Sequence, residues 1–149
     1  MWHLYYTFSE LARCCLINPL SEDEKKILLV DNDTTYLYIV KQLLKKHAIV
    51  GETVTAENGL EALEILKTDH RIGEMPQIII TDMEMPIMDG TIFLKELAAL
   101  KLIDHTFTKI VVNSSNTQYT TMNWTLKIPA PAFFQKPLLA EHILTILGG

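Results

Sequence analysis

The sequence predicts an α/β domain: a doubly wound, five-stranded parallel sheet with helices on both faces. Three observations lead there. Short, continuous apolar runs rich in β-branched residues alternate with stretches whose apolar residues recur at helical spacing. Acidic, amide, hydroxyl and lysine residues collect directly after those runs, where an open parallel sheet places its ligands. A chain of 149 residues, 48% hydrophobic and 21% charged, has the size and composition of one globular domain with a real core.

Residues 1–26 stand apart from this alternation and read as an appendage and linker, leaving 27–149 as the domain. Trp2, Tyr5, Tyr6 and Phe8 give the segment a signal-peptide look, but Glu10 and Arg13 interrupt it and no small-residue cleavage site follows. A short amphipathic helix over Ser9–Ile17 is expected, ending before Pro19. It serves as a packing appendage, as upstream sequence before the true start, or as a partner-binding helix. Ser21–Lys26 is a polar linker.

Ile27–Val30 is apolar throughout and suits a strand buried on both faces. Tyr36–Lys46 follows, with Leu37, Val40, Leu43 and Leu44 at amphipathic spacing. Glu52–Ala56 is the second strand. Gly59–Leu66 is the second helix, with Leu60, Leu63 and Leu66 on one face. Gln77–Thr81 is a third apolar strand, and Thr91–Leu100 the third helix. Lys109–Val112 makes the fourth strand, and Gln118–Lys127 a weaker, threonine-rich fourth helix. Ala132–Gln135 is the fifth strand and Leu139–Leu147 the closing helix.

Charge and cysteines exclude several classes. A net charge of −5 argues against a nucleic-acid surface and against docking on anionic membrane. No run of about eighteen uncharged apolar residues is available to span a bilayer. The two cysteines, adjacent at Cys14 and Cys15, form neither a disulfide framework nor a zinc site, so a reducing, cytoplasmic setting is expected.

The strand ends carry the chemistry. The first is followed by Asp31-Asn32-Asp33, the third by Asp82 and then Met83 to Gly90, the fourth by Asn113-Ser114-Ser115, the fifth by Lys136-Pro137. Clustered carboxylates bind a hard divalent cation, and magnesium needs only one or two of them besides water and a phosphoryl oxygen. A carboxylate can attack phosphorus, with cation and lysine neutralising the phosphoryl oxygens. The set therefore suits phosphoryl transfer to an aspartate. Each piece alone is an ordinary cap or turn residue; their concurrence at four strand ends carries the inference. Residues 1–26 hold four acids and three bases, so the acid excess lies elsewhere. Asp31, Asp33, Asp82, Glu84 and Asp89 fall on two of these loops, and the excess reads as a local cation site.

In these motifs (LLVDND, IIITDMEMPIMDG, VVNSS and FFQKP) the sequence from about Lys26 to Leu147 resembles the receiver domain of two-component response regulators. The resemblance implies a flavodoxin-like sheet of strand order 2-1-3-4-5. It implies Asp82 as phosphoacceptor and a magnesium site of Asp31, Asn32, Asp82 and the Glu84 carbonyl. It implies that Lys136 pairs with the phosphoryl group, that the Lys136–Pro137 bond is cis, that Pro86 and Gly90 shape the loop, and that Phe133 is the switch aromatic. Asn32 departs from the family, which has a second acid there. Asp33 substitutes for it or caps the following helix. Either Asn113 or Ser114 holds the switch hydroxyl position, and Ser114 is favoured for its hydroxyl.

The expected partners are a histidine kinase or histidine phosphotransfer protein and a downstream protein target. The target would bind the face of the fourth helix, fifth strand and fifth helix, where Trp124, Ile128, Pro129 and Pro131 lie. The chain is expected to be a stand-alone phosphoprotein, not an enzyme. Two alternatives stand beside this reading. Asn32 motivates a receiver fold used as a binding module without phosphorylation. Asp31-x-Asp33-x-Thr35, with Ser114 and Lys136, resembles the motifs of haloacid-dehalogenase-like phosphatases, but only Glu141 follows Lys136 as a further acid.

Overall fold

A computed structural model describes residues 24–47, 49–121 and 128–148. Strands and helices alternate as β1 (Lys25–Val30), α1 (Thr34–Lys45), β2 (Val50–Ala56), α2 (Gly59–Ile72), β3 (Ile78–Thr81), α3 (Gly90–Leu100), β4 (Lys109–Ser114), β5 (Ala132–Gln135) and α4 (Ala140–Gly148). A short 3-10 helix, Thr117–Thr120, follows β4. The strands form one parallel sheet of order β2-β1-β3-β4-β5, as predicted.

Alternation along each strand sorts the core into two layers. Leu28, Val30, Ile79, Ile110 and Val112 face α2 and α3, meeting Leu63, Leu66, Phe93 and Leu97. Ile27, Leu29, Ile78, Ile80 and Val111 face α1 and α4, meeting Leu37, Val40, Leu44, Ile143 and Ile146. Both faces being covered explains why the strands read as unbroken apolar runs. Asp33, Asn58 and Asp89 cap α1, α2 and α3, accepting the amides of Tyr36, Glu61 and Ile92.

Three elements differ from expectation. Helix α2 runs to Ile72, beyond the predicted end at Leu66. Its inward positions continue Ala62, Leu66, Asp69, and Asp69 is buried against Lys26 Nζ at 2.9 Å. A core position filled by a paired acid breaks the apolar pattern without breaking the helix. Strand β4 continues through Asn113 and Ser114, which were expected in the following loop; both are buried. Of the expected Gln118–Lys127 helix, Gln118–Thr120 lie in a 3-10 turn, and residues 122–127 fall outside the described residues. Trp124 and the expected Ser9–Ile17 helix lie outside the described residues, within which no helix is long and apolar enough to cross a membrane.

Candidate functional site

Register builds the site. Val30 pairs with Thr81, so β1 and β3 end level, while β4 runs two residues past Val112, the partner of Thr81. Asp31 and Asp82 therefore emerge side by side at the carboxyl edge, tied there by Asp31 N–H to the Ala56 carbonyl (3.0 Å) and Asp82 N–H to the Val30 carbonyl (2.8 Å). Each carboxylate is buried and uses its two oxygens differently. Asp31 Oδ1 accepts the Asp33 amide at 2.8 Å, and Asp82 Oδ1 accepts the Met83 amide at 2.7 Å. The Oδ2 atoms turn to a common cation, Lys136 Nζ, which pairs closely with Asp31 and lies 3.1 Å from Asp82.

The electrostatics follow from burial and pairing. Burial pushes the Asp31 carboxyl above the ordinary carboxylate range, and Lys136 and the Asp33 amide offset only part of that. Burial alone would lower Lys136, but the hydrogen bond and charge of Asp31, with those of Asp82, outweigh it and hold the ammonium above the ordinary lysine value. Burial also raises the Tyr36 phenol, which stays protonated and donates to Asn113 Oδ1 at 2.6 Å.

The acid cluster is smaller than the sequence suggests. Asp33 and Asp89 are helix caps, so Asp33 does not substitute for a second pocket acid. Glu84 is exposed, and its Oε1 accepts Asn116 Nδ2 at 3.1 Å. Asn32 is exposed. No group of three metal-ligating acids, histidines or cysteines occurs among the described residues. Two carboxylates directed at one cation still suit magnesium, which needs few protein oxygens and keeps its waters. Asp31 and Asp82 fit such an ion; Asn32 and the Glu84 carbonyl lie on the two loops beside them.

Strand parity sends Ser114 and Asn113 to opposite faces of the sheet. Asn113 faces α1, where its Nδ2 also donates to the Phe134 carbonyl at 2.9 Å. Ser114 lies on the opposite face, the one against which Phe133 packs. Its Oγ accepts the Asn116 amide at 3.2 Å, and its carbonyl accepts the Lys136 amide at 3.1 Å. The Lys136–Pro137 peptide is cis.

The loop after Asp82 is tightly folded. Gly90 N–H donates to the Met83 carbonyl at 3.0 Å, and a Cβ at Gly90 would lie 2.8 Å from Met83 Cα and closer still to the Asp82 carbonyl. Pro86 opens a three-residue turn in which Met88 N–H returns to its carbonyl at 2.7 Å, forcing Ile87 to a φ of 68°. The sequence reading missed that strain and the Tyr36–Asn113 bond. Tyr36 read only as a helix residue, and Asn113 only as a candidate switch residue.

Comparison with known proteins agrees with this fold. The response regulator receiver domain matches residues 27–148. The chain is 35% identical over 129 residues to the two-component response regulator ARR17 of Arabidopsis thaliana, covering 82% of each. It is 31% identical over 121 residues to the sensor histidine kinase CheAY of Helicobacter pylori, covering 81% of this chain but 14% of the kinase. The structure of the chemotaxis response regulator CheY4 of Vibrio cholerae superposes with a TM-score of 0.67 at 26% identity, over 84% of this chain and 97% of that one. A match across most of the chain, on a sheet of this order, places it: the chain belongs to the response regulator receiver domain family of two-component signalling.

Proposed function

We propose that this chain is the phosphoacceptor of a two-component relay, with Asp82 as the accepting group. A histidine kinase or histidine phosphotransfer protein presents a phosphohistidine. The Asp82 carboxylate attacks phosphorus, the P–N bond breaks, and the imidazole leaves with the electron pair and is then protonated. The observation that carries this reading is the pairing of Asp82 and Asp31 about Lys136, with the Met83 and Glu84 amides at 2.7 and 3.4 Å from Asp82 Oδ1. Lys136 neutralises phosphoryl oxygen charge as it develops. Asp31 and Asp82, with Asn32 and the Glu84 carbonyl from the loops beside them, would hold magnesium, which would supply further charge neutralisation.

The signal then passes through the switch. The Ser114 hydroxyl turns from the Asn116 amide to the phosphoryl group, and Phe133, on the same face, follows into the vacated space. This biases a two-state surface around Thr117–Thr120, β5 and α4 toward a downstream protein target. The chain acts as a phosphorylated signalling protein in the cytoplasm, not as a turnover enzyme. Use of Asp33 as a helix cap and the exposure of Glu141 support that reading over a phosphatase.

Acetyl phosphate with magnesium is expected to add one phosphoryl group, read by intact mass, and Asp82→Asn to abolish it. Labelling that persists in Asp82→Asn would overturn the assignment. A wild-type chain left unmodified, under conditions that label an ordinary receiver, favours the second reading: a receiver fold used as a binding module, for which Asn32 is the motivating residue.

A further inference from the structure

Tyr36 takes no part in the phosphoryl chemistry described above, yet the contacts of its ring and hydroxyl lead to the site. Its hydroxyl donates to Asn113 Oδ1 and accepts the Leu138 amide at 3.0 Å. Its ring lies beneath Lys136, with Nζ 4.6 Å from the centroid. Asn113 is in turn bonded to the Phe134 carbonyl. One side chain on α1 thus grips the end of β4 and the loop that carries Lys136, and its π face attracts the ammonium itself.

Lys136 is the cation of the pocket in this state, bridging Asp31 and Asp82. A divalent cation that enters must share those carboxylate oxygens with the Lys136 ammonium or displace it, against the repulsion of a like charge. Whatever holds Lys136 in place opposes that entry. We propose that Tyr36 is a positioning residue that holds Lys136 as the resident counter-ion of Asp31 and Asp82, and thereby sets how tightly the pocket takes a divalent cation. The proposal rests on the reading of those two carboxylates as the cation site.

The test is a magnesium titration of the full chain at constant pH and ionic strength, read from the Asp33 and Met83 amide resonances. Lys136→Met is expected to bind magnesium about tenfold more tightly, the scale of one like charge removed a few ångströms away under intermediate screening. Tyr36→Leu is expected to move about three- to fivefold toward that value, because ring and clamp are both lost. Tyr36→Phe keeps the ring and loses the clamp, and is expected to tighten binding about twofold; it carries the test should Tyr36→Leu not fold. A merely structural Tyr36 would loosen the pocket and weaken binding. Unchanged or weaker affinity in the Tyr36 variants, beside a tightened Lys136→Met, overturns the role of Tyr36 alone. No tightening in Lys136→Met overturns Lys136 as competing counter-ion, and with it the proposal. No magnesium binding in any of the four proteins removes the cation-site reading as well.

Discussion

At Asp31 burial and pairing pull in opposite directions. The carboxyl is 4% exposed, and burial holds it above its ordinary value of 3.8 despite Lys136. A carboxyl whose folded value is raised binds its proton more tightly when folded, so it contributes less stability as pH rises through that window. At neutral pH the ionised group is therefore retained at a cost in stability. Asp31→Asn removes the cost and leaves Asp82 to pair with Lys136. It is expected to raise stability by about 1 kcal/mol, read as a higher urea midpoint. Magnesium affinity is expected to fall in the same variant, measured by titration. Ile87 shows a second local strain. A β-branched residue at positive φ is disfavoured, and this one is 78% exposed, so packing does not compensate. Ile87→Gly is expected to gain about 1 kcal/mol, strain relief exceeding the added freedom of the unfolded chain; equilibrium denaturation checks it.

Among the elements, α3 is bound most closely to the chemistry. Its first residue, Gly90, lies against the backbone of Asp82 and Met83, with no room for a Cβ. Those contacts are with main chain, so no side-chain rotation relieves them. Gly90→Ala is expected to cost about 3 kcal/mol and to shift the Asp82 and Met83 amide resonances, measured by denaturation and NMR. Helix α2 shows a different constraint. Lys26 and Asp69 are both buried and paired, and Lys26 Nζ also donates to the Glu74 carbonyl at 3.1 Å. Asp69→Ala leaves the ammonium with that carbonyl and the exposed Glu52 at 3.6 Å, and is expected to cost about 3 kcal/mol by urea denaturation.

For the whole molecule, the acid–lysine pocket makes stability sensitive to alkali. Lys136 is held above its ordinary value of 10.5 and Tyr36 above 10.0. For both, the folded chain keeps a proton that the unfolded chain has released, so stability falls as pH rises through that window. Below the ordinary values the contribution of Lys136 is fully present. Denaturation midpoints are expected to fall from about pH 9 upward, and Lys136→Met and Tyr36→Phe each to flatten the fall. A pH series on the three proteins checks it. The whole chain also shows where sequence was legible. Strand runs such as Ile27–Val30 were plain because two-sided burial leaves no polar alternation. The end of α2 was hidden because Asp69 occupies an apolar slot. The Tyr36–Asn113 bond joins residues 77 positions apart, beyond any local pattern.

The sequence by itself determined the strand–helix alternation, the parallel sheet, and the placement of Asp31, Asp82, Ser114 and Lys136 at strand ends. Those follow from local periodicity and from the rule that open parallel sheets gather polar residues at their carboxyl edge. Only the tertiary structure decided which acids meet. Of Asp31, Asp33, Asp82, Glu84 and Asp89, two reach Lys136, two cap helices and one bonds Asn116. It also decided that Ser114, not Asn113, shares a face with Phe133, and that Tyr36 underlies Lys136. The reason is physical: a carboxylate near a strand end satisfies either a helix amide or a distant cation, and the choice depends on strand register and side-chain direction.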